Sequence, residues 1–371
     1  MLRIVHVIGR MPGDGTQRQL AGMLRCAHRR HWDATLAVLR AGDPLATEVA
    51  NAGVPVVQFM GHDADPRRLV KLRRILQSAD VVHSSLWGAN VYARIAARTV
   101  IRRPAVVISE HSVEDFRTAP LRALDRGLRL WTDEYIGNSN DVADFIVRAH
   151  GVPLSRVTVI RNGIDRNTFY PAMARHTDGG PAKLGTVGRL IPEKGVDVLL
   201  DAMPAIVARR PARLTVVGDG PQRRILEAKA RDLPVDFAGY LSAPADVAAF
   251  LRSIDVFVMP SRWEGLPNAL LEALECGANV VATDVPGMAE AAAGSAILVP
   301  PDEPALLADA VCRSLDTPKR RTASVDSFDE VAANHLVVFE RAYRRRAART
   351  AEPRFRPRSV ETPTRRWLGR G

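Results

Sequence analysis

Residues 183–203 read KLGTVGRLIPEKGVDVLLDAM, and the order of their parts decides the fold. Residues 184–187 are a continuous apolar run, residues 188–195 a loop opened and closed by glycine, and from Val196 apolar residues recur at helical spacing. A short apolar strand feeding an amphipathic helix through a glycine loop is the unit of parallel sheets covered on both faces.

The unit repeats in both directions. Toward the C-terminus, strands are expected near 214–217, 235–237, 256–259, 280–283 and 296–299, with helices over 222–230, 245–251, 268–276 and 304–314. Toward the N-terminus, apolar runs at 2–8, 35–39, 55–60, 80–83, 105–109 and 134–137 alternate with helix-period segments at 17–29, 67–77, 89–98 and 121–130. Between the halves, residues 169–181 carry two prolines and an HTDGG cluster and read as an exposed linker. The fold class is therefore α/β, with one parallel-sheet domain over residues 1–168 and a second over 182–326. A helix-like stretch follows over 329–346. Residues 347–371, arginine-rich, proline-containing and aperiodic, are expected to form a basic disordered tail.

A length of 371 residues suits two domains, and a hydrophobic share of 46% fills two cores and excludes global disorder. Cys26, Cys276 and Cys312 are widely spaced, with no metal-ligand pattern, which points to reduced thiols in a cytoplasmic setting. Residues 1–9 lack a signal-peptide cleavage site and read as a first buried strand, and no run approaches the roughly 18 apolar residues of a membrane span. The formal net charge is +11, from 52 Lys+Arg against 41 Asp+Glu. Nucleic acid, an anionic membrane or phosphorylated small molecules would each suit that balance, and charge alone does not choose. Residues 67–77 (RRLVKLRRILQ) are basic on one side and apolar on the other, and 117–131 are similar. That pattern fits peripheral contact with an anionic membrane and equally a helix packed on a sheet.

Ligands of open parallel sheets bind outside the carboxyl ends of the strands, where helix N-termini offer free N–H groups to phosphate. Four loops occupy such places. GRMPGDG (9–15) follows the first strand; its third glycine position holds Arg18 and no acid ends the second strand, so it reads as an anion loop rather than a dinucleotide fingerprint. GRLIPEKG (188–195) sets Arg189 and Lys194 close to a helix start, where two cations can neutralise a diphosphate. GDGP (218–221) is a tight turn in the same kind of place. EGLPNALLE (264–272) leaves Glu264 in a loop and puts Glu272 just over one turn into a helix starting near Pro267. Five residues of helix rise span about 8 Å, suited to two carboxylates gripping the hexose and the ribose of one nucleotide sugar. HDAD (62–65) contains a DxD string in a loop before a helix, and no metal requirement is read from it.

GRLIPEKGVDVLLDA, VVGDGP, FAGYL, EGLPNALLEAL and ATDVPGMAE resemble, in order and spacing, the family 4 retaining glycosyltransferases. GDGTQRQL, SEHS (109–112), IGNSN (136–140) and RNGID (161–165) agree with that likeness, which covers roughly residues 2–345. The resemblance implies the GT-B fold, two Rossmann-like parallel-sheet domains facing a cleft, with a C-terminal helix over 327–346 crossing back to the first domain. It implies that Arg189 and Lys194, with Gly188 and Gly218 beside them, hold the donor diphosphate, that Glu272 binds the ribose and Glu264 the transferred sugar. Gly265, Leu266 and Asn268 would grip sugar hydroxyls or phosphate through the backbone, Gly15 would admit the phosphates, and Tyr240 would lie near the base. His111, in SEHS, matches the family's cleft histidine beside sugar and acceptor. His111, Arg189, Lys194 and Glu264 are thus the catalytic candidates. The family's usual glycine pair after ATD is Pro286–Gly287 here.

The expected activity is retaining transfer of a hexose from a nucleotide-diphosphate sugar, a co-substrate, to a carbohydrate or lipid-linked acceptor in polysaccharide or glycolipid synthesis. No cofactor, metal or nucleic-acid partner is expected. The expected location is cytoplasmic, with peripheral contact at the inner face of the membrane. A nucleotide-sugar epimerase or oxidoreductase and a non-catalytic nucleotide-binding scaffold remain open alternatives.

Overall fold

The computed structural model describes residues 1–60, 67–113, 117–171, 179–317 and 325–351. The HDAD string, most of the 169–181 linker and residues 352–371 lie outside them.

The first half runs β1 (Arg3–Ile8), α1 (Gly15–Arg29), β2 (Asp33–Val38), α2 (Pro44–Asn51), β3 (Val56–Gln58), α3 (Arg67–Leu76), β4 (Val81–Ser85), α4 (Trp87–Thr99), β5 (Ala105–Glu110), α5 (Ala119–Leu128), β6 (Glu134–Gly137), α6 (Asn140–His150) and β7 (Val157–Val159). Its strands form one seven-stranded parallel sheet in the order β3-β2-β1-β4-β5-β6-β7. The second half runs β8 (Ala182–Val187), α7 (Val196–Arg209), β9 (Ala212–Val217), α8 (Arg223–Lys229), β10 (Val235–Gly239), α9 (Pro244–Ser253), β11 (Val256–Met259), α10 (Asn268–Glu275), β12 (Asn279–Thr283), α11 (Met288–Ala292), β13 (Ala296–Val299) and α12 (Pro304–Asp316). Its sheet has six parallel strands in the order β10-β9-β8-β11-β12-β13. In each sheet the strand order reverses beside the first strand, between β1 and β4 and between β8 and β11, which opens a crevice at the carboxyl edge. The two crevices face one another.

The last helix, α13 (Phe328–Ala351), packs on the first sheet, with Val331, Ala332, Val338, Phe339 and Ala342 in one core with Ile4, Leu20 and Leu36. It starts in a capping box: Ser327 Oγ accepts the Glu330 N–H at 3.3 Å, and Glu330 Oε2 accepts the Ser327 N–H at 2.7 Å. Gly22 makes room for it, since a β-carbon there would lie 2.4 Å from the Phe328 ring. Farther along, Arg341 and Arg345 close on the buried Glu134 at 3.0 Å each. The disordered tail expected from residue 347 is corrected here: residues 347–351 are helical. Ala347 and Ala348 are strong helix formers, the first proline comes only at Pro353, and Arg349 reaches Asp133 at 3.2 Å.

Candidate functional site

The loop after β8 and the loop after β9 touch. A β-carbon on Gly218, which has φ +135°, would stand 1.8 Å from the Gly188 carbonyl oxygen, so only glycine fits this crossing. Beyond Gly188 the side chain of Arg189 is exposed, with no acidic partner among the described residues. A 3-10 turn over Pro192–Lys194 ends at Gly195, whose left-handed backbone (φ +61°) launches α7. A β-carbon on Gly195 would meet the Pro260 carbonyl oxygen at 2.0 Å, so the turn is pressed onto the end of β11. That contact brings Lys194 to Glu264.

Glu264 is buried after β11, and its Oε1 accepts from Lys194 Nζ at 2.6 Å and from Ser261 Oγ at 2.7 Å. Pro267 is the N-cap of α10 rather than its first residue, which leaves Asn268 to open the helix. Glu272 lies one turn further on, half-buried. Burial pushes its carboxyl up to about 7, against a smaller downward pull from Arg18. It is a carboxylic acid poised to ionise when hydroxyl donors reach it.

Side chains of the first domain close the other wall. Asn268 Nδ2 donates to the Gly15 carbonyl at 3.1 Å and Gln19 Nε2 to Asn268 Oδ1 at 3.0 Å. Asn162 Nδ2 donates to the Leu266 carbonyl at 2.9 Å. Arg18 spans the cleft, with Nε on the Gly13 carbonyl at 2.8 Å and Nη2 on the Tyr240 hydroxyl at 3.0 Å. His111 stands at the end of β5, and neither of its ring nitrogens has a hydrogen-bond partner. Burial, helped by nearby His335 and opposed by Glu110, lowers its imidazole to about 4, so the ring is neutral at physiological pH.

These walls enclose a cavity of about 610 Å³. Every residue singled out from the sequence lines it: Gly15, His111, Gly188, Arg189, Lys194, Gly218, Tyr240, Glu264, Gly265, Leu266, Asn268 and Glu272. What lies against Gly15 is the Asn268 amide, 3.1 Å from where its β-carbon would be. Gln17, Arg18, Gln19, Asn138 and Asn162 also line the cavity; the sequence carries them inside GDGTQRQL, IGNSN and RNGID but assigns them no role in the site. Only the fold reveals that the asparagine of RNGID reaches the loop before α10. The described residues hold no cluster of three or more His, Cys, Asp or Glu able to bind a metal ion.

Residues 13–168 match the family described as Glycosyltransferase Family 4, and residues 181–317 the one described as Glycosyl transferases group 1. The glycogen synthase of Mycobacterium tuberculosis is 32% identical over 255 residues, 64% of this chain and 61% of the relative. A GDP-mannose-dependent alpha-(1-6)-phosphatidylinositol dimannoside mannosyltransferase of the same species is 34% identical over 190 residues, 47% of this chain and 50% of the relative. The chain thus spans between half and two thirds of the length of these relatives. Among solved structures, Anabaena HepE in complex with UDP superposes with a TM-score of 0.73 at 19% identity, covering 94% of this chain and 99% of that one. At that identity the likeness is one of fold.

Proposed function

The chain belongs to the glycosyltransferases, family 4 in its first half and group 1 in its second, and we propose that it moves a hexose from a nucleoside-diphosphate sugar to a hydroxyl acceptor with retention of anomeric configuration. The fold is GT-B. One observation carries the reading: two cations, Arg189 and Lys194, and two carboxylates, Glu264 and Glu272, converge on one cavity from loops that follow parallel strands. Cations and helix N-termini match a diphosphate, and carboxylates match the hydroxyls of ribose and sugar.

In this reading the diphosphate lies against Arg189, Lys194 and the start of α7. Glu272 accepts hydrogen bonds from the ribose and Glu264 from the sugar. The bond from the anomeric carbon to the phosphate oxygen breaks with its electron pair leaving on the diphosphate, and the acceptor oxygen bonds to the same carbon. Attack from the departing face places that phosphate oxygen nearest the acceptor hydroxyl, so it takes the proton. Fixed charges aimed at the leaving group contribute about 3–4 kcal/mol each to such a step. No metal ion is assigned a part. Proton NMR of the first product formed tests the reading, because retention is expected and an inverted anomeric centre contradicts it.

A cytoplasmic setting at the inner face of an anionic membrane, with a lipid-linked acceptor, belongs to the same proposal. No helix among the described residues is long and apolar enough to cross a membrane. Its support is the surface at the C-terminal ends of α4 and α5, where Arg98 lies over the Trp131 ring at 5.8 Å and Ile101 and Leu130 are 97% and 74% exposed. Flotation with anionic vesicles at low salt is the expected result; no flotation removes this part alone.

A further inference from the structure

Outside the cavity the two domains exchange carboxylates. Glu290, in the first turn of α11, reaches into the first domain, where its Oε2 accepts the Asn140 N–H and its Oε1 accepts from Arg161 Nε, each at 2.7 Å. Asp141, in the first turn of α6, reaches the other way, and its Oδ2 accepts the Gly287 N–H at 2.7 Å. None of Asn140, Asp141, Arg161, Gly287 and Glu290 lines the cavity.

The start of α6 explains why an acid from elsewhere is useful there. Its own N-cap, Ser139, accepts the Val142 N–H through Oγ at 3.2 Å, which leaves the Asn140 N–H without a partner inside the helix. Glu290 supplies that partner from the opposite domain, and a carboxylate binds an N–H more strongly than a neutral carbonyl does. The starts of α6 and α11 face each other, an arrangement that sets positive ends together unless acids lie between them. Each helix provides the acid for the other. Arg161 is 54% exposed against 12% for Glu290, so the backbone contacts carry more of the junction than the ion pair does.

Gly287 links this junction to the site. A β-carbon there would lie 1.6 Å from the Gly265 carbonyl oxygen, and one on Gly265 would lie 2.1 Å from the His111 carbonyl oxygen. The loop of Glu264 and Gly265 is therefore backed by the first domain on both sides, by His111 directly and by Asp141 through Gly287.

We propose that Asp141 and Glu290 form a crossed latch that fixes the closed position of the cleft, and that they act as positioning residues for transfer through Gly287 and Gly265 without touching substrate. The effect on rate rests on the glycosyl-transfer reading; the latch itself does not. The groups assigned to the nucleotide, Arg189, Lys194 and Glu272, all stand on the second domain. Opening the latch thus leaves a bare nucleotide its site and removes the alignment of sugar with acceptor.

Two measurements on the full chain test it together. Small-angle X-ray scattering, with and without UDP, GDP and ADP, reads the cleft. Turnover of UDP-glucose, GDP-mannose and ADP-glucose, with methyl α-D-mannopyranoside as acceptor, reads the reaction. Asp141→Ala and Glu290→Ala should each scatter as a wider cleft than wild type and lower kcat about tenfold. Affinity for the bare nucleotide should stay within about twofold. Glu290→Gln keeps an oxygen for the Asn140 N–H, so it should recover most of the lost rate and compactness, and it remains informative where an alanine variant folds poorly. Wild-type scattering and kcat in both alanine variants overturn the proposal. So does a lower kcat with unchanged scattering, which would place the effect within one domain, and so does a wider cleft with unchanged kcat. A wider cleft in the variants, with no turnover of any donor by wild type, would support the latch and count against the glycosyl-transfer reading.

Discussion

Gly265 and His111 touch across the cleft: a β-carbon on Gly265 would stand 2.1 Å from the His111 carbonyl oxygen. Gly287, at φ +77°, backs the same loop, since its own β-carbon would lie 1.6 Å from the Gly265 carbonyl oxygen. The loop proposed to hold the sugar is thus clamped between the first domain and a left-handed glycine. Gly265→Ala should hold the domains apart by the bulk of one methyl group. Turnover is expected to fall about 100-fold or more, because small misplacements cost that much in a positioned reaction. Thermal unfolding should be little changed, and wild-type turnover in the variant would mean that this contact is not needed.

Glu272 gives the apo protein a pH dependence of defined sign. Its carboxyl rises from 4.5 to about 7, so the folded chain holds a proton that the unfolded chain has lost. The stability associated with that proton is full below pH 4.5 and is lost as pH rises toward 7. Unscreened, the shift is worth about 3 kcal/mol, and partial exposure reduces it to about 1–2 kcal/mol. Glu272→Gln should gain that much on wild type between pH 4 and pH 8 in denaturant titrations. Donor affinity should move the other way, strengthening in wild type as pH rises through 7 and staying flat in the variant.

Four histidines act in the opposite direction. His6 Nδ1 lies 2.9 Å from His83 Nδ1, His83 Nε2 lies 2.7 Å from Ser109 Oγ, and His335 of α13 meets His83 edge-on with ring centroids 5.6 Å apart. Burial lowers His6 to about 3, His335 and His111 to about 4, and His83 well below 6.5. Depressed imidazoles leave the unfolded chain with more protons below pH 6.5, so stability falls as pH drops from there toward 4. Each histidine adds up to about 1.4 kcal/mol per pH unit. Loss of α13 docking, read by hydrogen exchange over residues 328–349, should come early in acid. Flat stability from pH 7 to 4.5 would contradict the buried-imidazole picture.

Arg189 and Lys194 should separate by what else they touch. Arg189 is exposed, so Arg189→Ala is expected to lower kcat about 100- to 1,000-fold with unfolding unchanged. Lys194→Ala also leaves the buried Glu264 with only Ser261, and should cost stability as well as rate. Equal effects of the two on unfolding would contradict the pairing.

The sequence reaches far where one local pattern settles a question. The 183–203 unit marks strand, loop and helix, and the acidic pair of EGLPNALLE can be placed from the helix start alone. It reaches less far where the third dimension decides. β7 is only Val157–Val159, too short for a period to register, and α11 carries only five residues, little more than one turn. Gln17 and Asn138 sit inside GDGTQRQL and IGNSN, but nothing in those strings says that they meet; the carboxyl ends of β1 and β6 bring them to one cavity. Asn162 is a loop asparagine until the cleft closes and its amide meets Leu266.

The most direct test of the central claim is calorimetric titration of the full chain with UDP-, GDP- and ADP-sugars, run in parallel on Glu272→Ala. Saturable binding of one nucleotide sugar at a single site, weakened at least about tenfold in the variant, is the expected result. Binding of none of them, or equal binding by wild type and Glu272→Ala, would contradict a donor site in this cleft.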